Sequence, residues 1–445
     1  MRKMKIIALM ITVAMALTAC GKAADADIKT EGEKTVLTLG TVSSASALQR
    51  QADAFNIQNT EYQIEIRSYQ DAAVDGSNAI NTIQMEISAG KGPDIIDFGY
   101  LYTPGAVSKG IMEDLSAYME EDEDFHKEDY FENIINTFAI DNKLYVISPQ
   151  FTINTVAVRK EDLGDAINWE IQDVMSYYQK SGQDKILFPG DSRKEVFGFL
   201  CMGSMGTYIN WTDGSCCFDD GKFKELITFA DQFPDYRIYD EDFSVLSQFR
   251  SGNALLYPLS VSNVYGCTKA RMVFGDIPLN YIGYPLDGRN GSVAQPGRII
   301  LGINKNSKNK EASWQFIKSF LQEEYQSSIE NGLPLLKSEM EIRLEKAQEI
   351  EYEKNETGEK VEKAKDSILF EGEDAIDIFC ISKQDACDVL EIISNAETAY
   401  AVDYDLYSII LEEAGRYFDD GRDINSVIEI IQSRASIYIS ENYYG

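Results

Sequence analysis

Thr35-Val-Leu-Thr-Leu-Gly40, Tyr62-Gln-Ile-Glu-Ile-Arg-Ser-Tyr69 and Gly92-Pro-Asp-Ile-Ile-Asp-Phe98 decide the fold, together with what lies between them. The first two read as strands, one largely apolar and one alternating, and the third is a turn feeding a buried strand. Between the first and second, Leu48 to Asn56 sets Leu48, Ala52 and Phe55 on one helical face. Between the second and third, Ala79 to Ala89 turns Ile80, Ile83 and Ile87 inward and is closed by Gly90. This β-α-β-α-β rhythm predicts a parallel sheet covered by helices.

At 445 residues the chain exceeds what one hydrophobic core supports, so two domains are expected. Its formal charge of −32 repels nucleic acid and anionic headgroups, which argues against a DNA-, RNA- or lipid-headgroup-binding role. Six cysteines follow Cys20, namely Cys201, Cys216, Cys217, Cys267, Cys380 and Cys387. They are too sparse for a disulfide scaffold, and the adjacent Cys216-Cys217 pair does not readily bridge itself. They read as mostly buried thiols, with room for one or two bridges. No C-x-x-C occurs and His126 is the only histidine, so a zinc site finds no support and no cofactor is expected. A catalytic unit built on imidazole would need that one histidine, yet it sits in the charged run Glu120 to Asp129, a solvated surface. With 73 Asp and Glu residues some carboxylate pair is unavoidable, and abundance alone assigns no catalytic residue.

The N-terminus carries Arg2, Lys3 and Lys5, then a 12-residue, mostly apolar run from Ile6 to Leu17. At 1.5 Å per residue that run is too short for a hydrocarbon core of roughly 30 Å, and it reads as an export signal. Leu17-Thr-Ala-Cys20-Gly21 resembles the lipobox of bacterial lipoproteins. The resemblance implies cleavage after residue 19 and acylation of the Cys20 sulfur, which fixes the protein to the outer face of the cell membrane. Two acyl chains at about 0.8 kcal/mol per buried CH₂ make such an anchor stable. Residues 20–34 are small, polar and charged, a flexible tether.

Further motifs follow in order. They are Ala89-Gly-Lys-Gly-Pro-Asp-Ile-Ile96, Gly110-Ile-Met-Glu-Asp-Leu115, Asp141-Asn-Lys-Leu-Tyr-Val-Ile-Ser-Pro149 and Phe249-Arg-Ser-Gly-Asn-Ala-Leu-Leu256. Pro296-Gly-Arg-Ile-Ile-Leu-Gly-Ile-Asn304, Asn309 to Ile317 and Asn331-Gly-Leu-Pro-Leu-Leu-Lys-Ser338 complete the series. In this order and behind a lipobox, the chain resembles the family 1 extracellular solute-binding proteins of ABC importers. Two departures stand out. Where the family continues with Tyr-Asn-Lys after the crossover, this chain has Thr155-Val-Ala-Val-Arg-Lys160, and its charged stretch of about 337–399 reads as an added helical extension.

The resemblance implies a mixed α/β, two-lobe periplasmic-binding-protein fold of type II. The expected parts are an N-terminal lobe of 35–148 and 282–321 and a C-terminal lobe of 149–281 and 322–445. Crossovers near Ser148–Phe151, Tyr281–Arg298 and Leu321–Ile329 would let the lobes close on a ligand. The ligand it favours is a carbohydrate, an oligosaccharide, handed by a monomeric binding protein to permease subunits. A peptide or other polar solute, service to a sensor kinase, and a carbohydrate-acting enzyme are the alternatives. Aromatic faces cover the apolar faces of pyranoses, which nominates Tyr100, Tyr102, Tyr208 and Trp211. Ser43, Ser44, Ser260, Ser262, Gln295 and Arg298 are polar groups expected at strand ends facing the cleft. If the Cys20 sulfur carries the anchor, Cys20→Ala moves a folded protein out of the membrane fraction. Retention there at the wild-type level would sink the lipobox reading.

Overall fold

The computed structural model describes residues 34–444 apart from 43–45, 70–75, 100–101, 103, 109, 183, 240–241, 287 and 401. The expected leader, Cys20, the tether up to residue 33, Ser43, Ser44 and Tyr100 lie outside them. No helix among the described residues is long and apolar enough to cross a membrane.

Two sheet-containing lobes form the molecule. In the first, strands Thr35–Thr41, Tyr62–Ser68 and Ile95–Asp97 are parallel, with Leu39 opposite both Ile66 and Ile95. Helices Ser46–Gln58 and Gly76–Ser88 make the crossovers, as the apolar spacing predicts. A fourth strand, Leu301–Ile303, arrives from far along the chain and pairs antiparallel with Ile95–Asp97. Asp94 explains the Pro-Asp motif before that strand. Its carboxylate accepts the Thr38 amide at 3.0 Å and the Ser307 hydroxyl at 2.5 Å, so it ties the first strand to the returning chain.

The second sheet is built around Gln150–Arg159. That strand pairs antiparallel with Tyr257–Val261, Leu279–Tyr281, Val293–Pro296 and Leu333–Pro334. The expected return to the first lobe at residue 282 is corrected here. Val293–Pro296 remains hydrogen-bonded against Phe151–Asn154, and the chain crosses only at Gly297–Ile300.

The expected helical extension over 337–399 is also corrected. Helices Lys337–Gln348 and Lys383–Asn395 frame two hairpins, Tyr352–Lys354 with Lys360–Glu362 and Asp366–Ile368 with Ile376–Ile378. Gly358, at φ +84°, makes the turn that the first hairpin requires. Thr398–Ala399 then adds a parallel strand beside Val293–Pro296. Helices Tyr404–Asp420 and Ile424–Ile439 close the second lobe, sending Leu406, Ile410, Val427 and Ile431 into its core. The six cysteines after Cys20 are free, and only Cys201 and Cys267 are buried, fewer than expected.

One buried amide joins the first and third crossings. Gln326, fully buried, donates to the Pro149 and Phe320 carbonyls, both at 2.8 Å, and accepts the Leu336 amide at 3.0 Å. Ser148 ties the first two crossings by donating to the Ile299 carbonyl at 2.9 Å and accepting the Gly297 amide at 3.0 Å. Gln326→Leu keeps the volume but strands the Phe320 carbonyl and the Leu336 amide, each costing about 1–3 kcal/mol, and leaves Pro149 only the Leu335 amide at 3.3 Å. Urea unfolding should show a loss of about 2 kcal/mol or more. A loss under roughly 1 kcal/mol would mean that the amide holds nothing.

Candidate functional site

Between the lobes lies a cavity of about 660 Å³, within the range of small-molecule sites. The first lobe contributes Ser46, Ala47 and Arg50 from the start of helix Ser46–Gln58, with Gly99 and Tyr102 beyond strand Ile95–Asp97. Strand alternation in the second sheet puts Gln150 and Thr152 on the cleft side, beside Gln295 and Pro296. Ser260 and Ser262 join them from the neighbouring strand and its end. The segment Tyr325 to Gly332 and the residues Tyr400, Val402 and Tyr404 complete the wall.

The floor is fixed by a buried carboxylate. Asp97 accepts the Thr41 hydroxyl at 2.9 Å, the Ile300 amide at 3.0 Å and the Gly99 amide at 3.2 Å. Gly99 and Ile300, both lining the cavity, are thereby pinned to the first sheet. Asn154 donates to Gln295 Oε1 at 2.8 Å, and Gln150 Nε2 donates to the Asn331 carbonyl at 2.8 Å, which orients both amides. Burial pushes the Tyr325 phenol up to about 12, with the Arg50 charge pulling the other way. Burial likewise raises Tyr102 and Tyr400, so these rings present protonated hydroxyls at neutral pH.

Of the residues nominated from sequence, Tyr102, Ser260, Ser262, Gln295 and Arg298 line this one cavity. Tyr208 and Trp211 do not, and their nomination is corrected. Tyr208 is buried in the second lobe's core, stacked on Phe218 at 5.4 Å between centroids and edge-on to Phe223. A loop rich in small residues looked like a rim, but its rings turn inward to where apolar partners exist. Sequence reasoning missed Arg50, Gln150, Thr152, Tyr325, Asn331, Tyr400 and Tyr404, which reach the cleft through contacts distant along the chain. His126 is exposed, and no group of three or more metal-ligating side chains comes together among the described residues.

Trp211 instead stands where the lobes touch. Its ring is edge-on to Tyr443 at 5.5 Å, and Tyr443 packs against the cores of both lobes. The Tyr443 hydroxyl donates to Asp403, which also accepts from Tyr438 at 3.1 Å and caps helix Tyr404–Asp420. Opposite lies Gly105 in helix Pro104–Ser108 of the first lobe. A Cβ at Gly105 would sit 2.7 Å from Tyr443 Cγ and 2.8 Å from Trp211 Cζ3.

Residues 50–336 match the family of bacterial extracellular solute-binding proteins. No curated protein matches the chain in sequence. Among solved structures it is similar to the sugar-binding protein MalE of Xanthomonas citri, at 14% identity and a TM-score of 0.53. That alignment covers 92% of this chain and 98% of the other. It is similar also to a family 1 extracellular solute-binding protein of Alicyclobacillus acidocaldarius, at 13% identity, a TM-score of 0.52 and coverage of 91% and 98%. The cyclic α-maltosyl-1,6-maltose binding protein of Arthrobacter globiformis aligns at 12% identity and a TM-score of 0.50, covering 92% and 100%. At these identities the likeness is one of fold.

Because the aromatic pair leaves no space at Gly105, Gly105→Ala should hold the lobes apart. Small-angle scattering should report a larger radius of gyration than for the wild type; an unchanged radius would show that the contact yields freely. Trp211→Ala should lower the melting temperature while ligand affinity stays within about threefold, since the ring lies outside the cavity. A tenfold loss of affinity would return Trp211 to the ligand.

Proposed function

Because the chain belongs to the bacterial extracellular solute-binding proteins, we propose that it captures an oligosaccharide between its lobes and delivers it to an ABC permease. In this reading Cys20 is lipid-modified and the protein works as a tethered monomer at the outer face of the membrane. The family places it outside the cytoplasm. The observation that carries the reading is the composition of the cleft. Four tyrosines, at 102, 325, 400 and 404, share one cavity with the amides of Gln150, Gln295 and Asn331 and the hydroxyls of Thr152, Ser260 and Ser262. Flat rings cover the apolar faces of sugar rings, and oriented amides and hydroxyls satisfy hydroxyl groups that would otherwise lose water.

The hinge converts binding into a signal. A ligand that touches both walls favours the closed arrangement by its extra affinity for that state and by nothing else. The permease then reads lobe separation rather than the sugar itself.

A panel of oligosaccharides tests this by thermal melting and scattering. A cognate sugar at 100 times its Kd should stabilise the protein by about 2.7 kcal/mol and shrink the radius of gyration. If peptides raise the melting temperature and no saccharide does, the carbohydrate assignment is wrong although the fold and the capture step stand.

A further inference from the structure

The charge inside the cleft is opposite to the charge of the protein. The chain carries 73 acidic and 41 basic residues. Yet the charged side chains lining the cavity, among the described residues, are Arg50, Arg298 and Glu330. Arg50 rises from the first lobe's helix Ser46–Gln58, and Arg298 lies on the crossing between strands Val293–Pro296 and Leu301–Ile303.

Neither guanidinium has a carboxylate among the described residues. Arg50 is held by a 3.4 Å hydrogen bond to the Ser46 hydroxyl, and Arg298 makes no side-chain hydrogen bond or ion pair there. Eight described arginines find carboxylates, while the exposed Arg250, Arg289 and Arg422, outside the cavity, do not. Arg67 reaches Glu86 at 2.6 Å, Arg237 reaches Asp191 at 2.6 Å, and Arg343 reaches Glu339 at 2.9 Å. Arg50 and Arg298, both exposed, differ from the other unpaired arginines in facing the same cavity, where a ligand can reach both.

We propose that the oligosaccharide taken by this cleft is acidic, bearing carboxylate or sulfate groups that Arg50 and Arg298 receive. The inference rests on the carbohydrate reading above and adds the charge of the ligand to it. Guanidinium presents a planar fork of N–H donors that matches both groups bidentately. Closure of the lobes removes water from the cleft. A neutral sugar would then leave two desolvated cations uncompensated, whereas an anionic one neutralises them. The acidic exterior does not prevent entry, because surface charges are screened beyond about 8 Å at physiological salt. Inside the cleft two arginines outnumber the one described carboxylate, Glu330.

Calorimetric titration of the detergent-purified full chain tests the proposal. The probes are a galacturonic-acid trimer, a sulfated galactan tetrasaccharide, and the carboxyl-reduced and desulfated forms of each. At least one acidic probe should bind ten times more tightly than its neutral counterpart, and the pair that does so tells carboxylate from sulfate. Arg298→Gln and Arg50→Gln should each weaken that probe roughly tenfold to a hundredfold, the range for a lost hydrogen bond to a charged group. The same variants should change a neutral probe by less than threefold. Glu330→Gln, which removes the cavity's one acidic neighbour, should tighten the acidic probe.

Equal or tighter binding of the neutral forms would overturn the inference while leaving the carbohydrate reading intact. So would a loss of affinity in Glu330→Gln, which would point to a cationic group on the ligand. Binding of triglutamate with no response to any saccharide would remove both readings at once. Silence from every probe would also count against the acidic assignment, with neutral maltotetraose deciding whether the carbohydrate reading survives.

Discussion

Everything that this molecule does with its two lobes depends on a buried amide at their junction. Gln326 touches the crossing at Pro149, the helix end at Phe320 and the turn into Leu336 through a single side chain. Buried backbone groups must be satisfied, so these three strands of chain cannot separate without exposing them to an apolar surrounding. In the capture reading proposed above, the lobes turn about this stapled line, and the cavity opens directly beside it. Asp97 does for the floor what Gln326 does for the axis: it locks Gly99 and Ile300 to the first sheet so that the ligand meets a rigid surface.

The parts of the fold legible in the sequence are those built from local pattern. The first lobe's strands and helices announce themselves through spacing, and Pro93-Asp94 stands out because a carboxylate is needed to tie two distant segments. The hairpins between 352 and 378 were not legible as strands. Tyr352–Lys354 is exposed throughout, so no alternation of apolar and polar residues marks it, and its charged residues favour a helical reading. The return crossing was misplaced for a related reason. Val293–Pro296 is a short strand whose membership depends on the partner it finds at Phe151–Asn154, information absent from its own four residues.

The cleft was half legible. Ser260, Ser262, Gln295 and Arg298 could be nominated because they fall at the ends of strands in a fold whose ligands bind there. Tyr325, Asn331, Tyr400 and Tyr404 could not, because they come from segments that reach the cleft only after the third crossing and the last strand are in place. Tyr208 and Trp211 show the opposite error. Composition marks a loop, but it does not say which side of the loop an aromatic ring will find buried.

The position of Tyr443 also bears on how the molecule could be instrumented. Its ring is wedged between Trp211 of one lobe and the helix bearing Gly105 of the other. An environment-sensitive fluorophore attached at the exposed Asn442 would therefore sit one residue from that seam. Such an attachment would serve as a gauge of opening and closing, and for the same reason an affinity handle meant to be inert belongs on a surface remote from that seam.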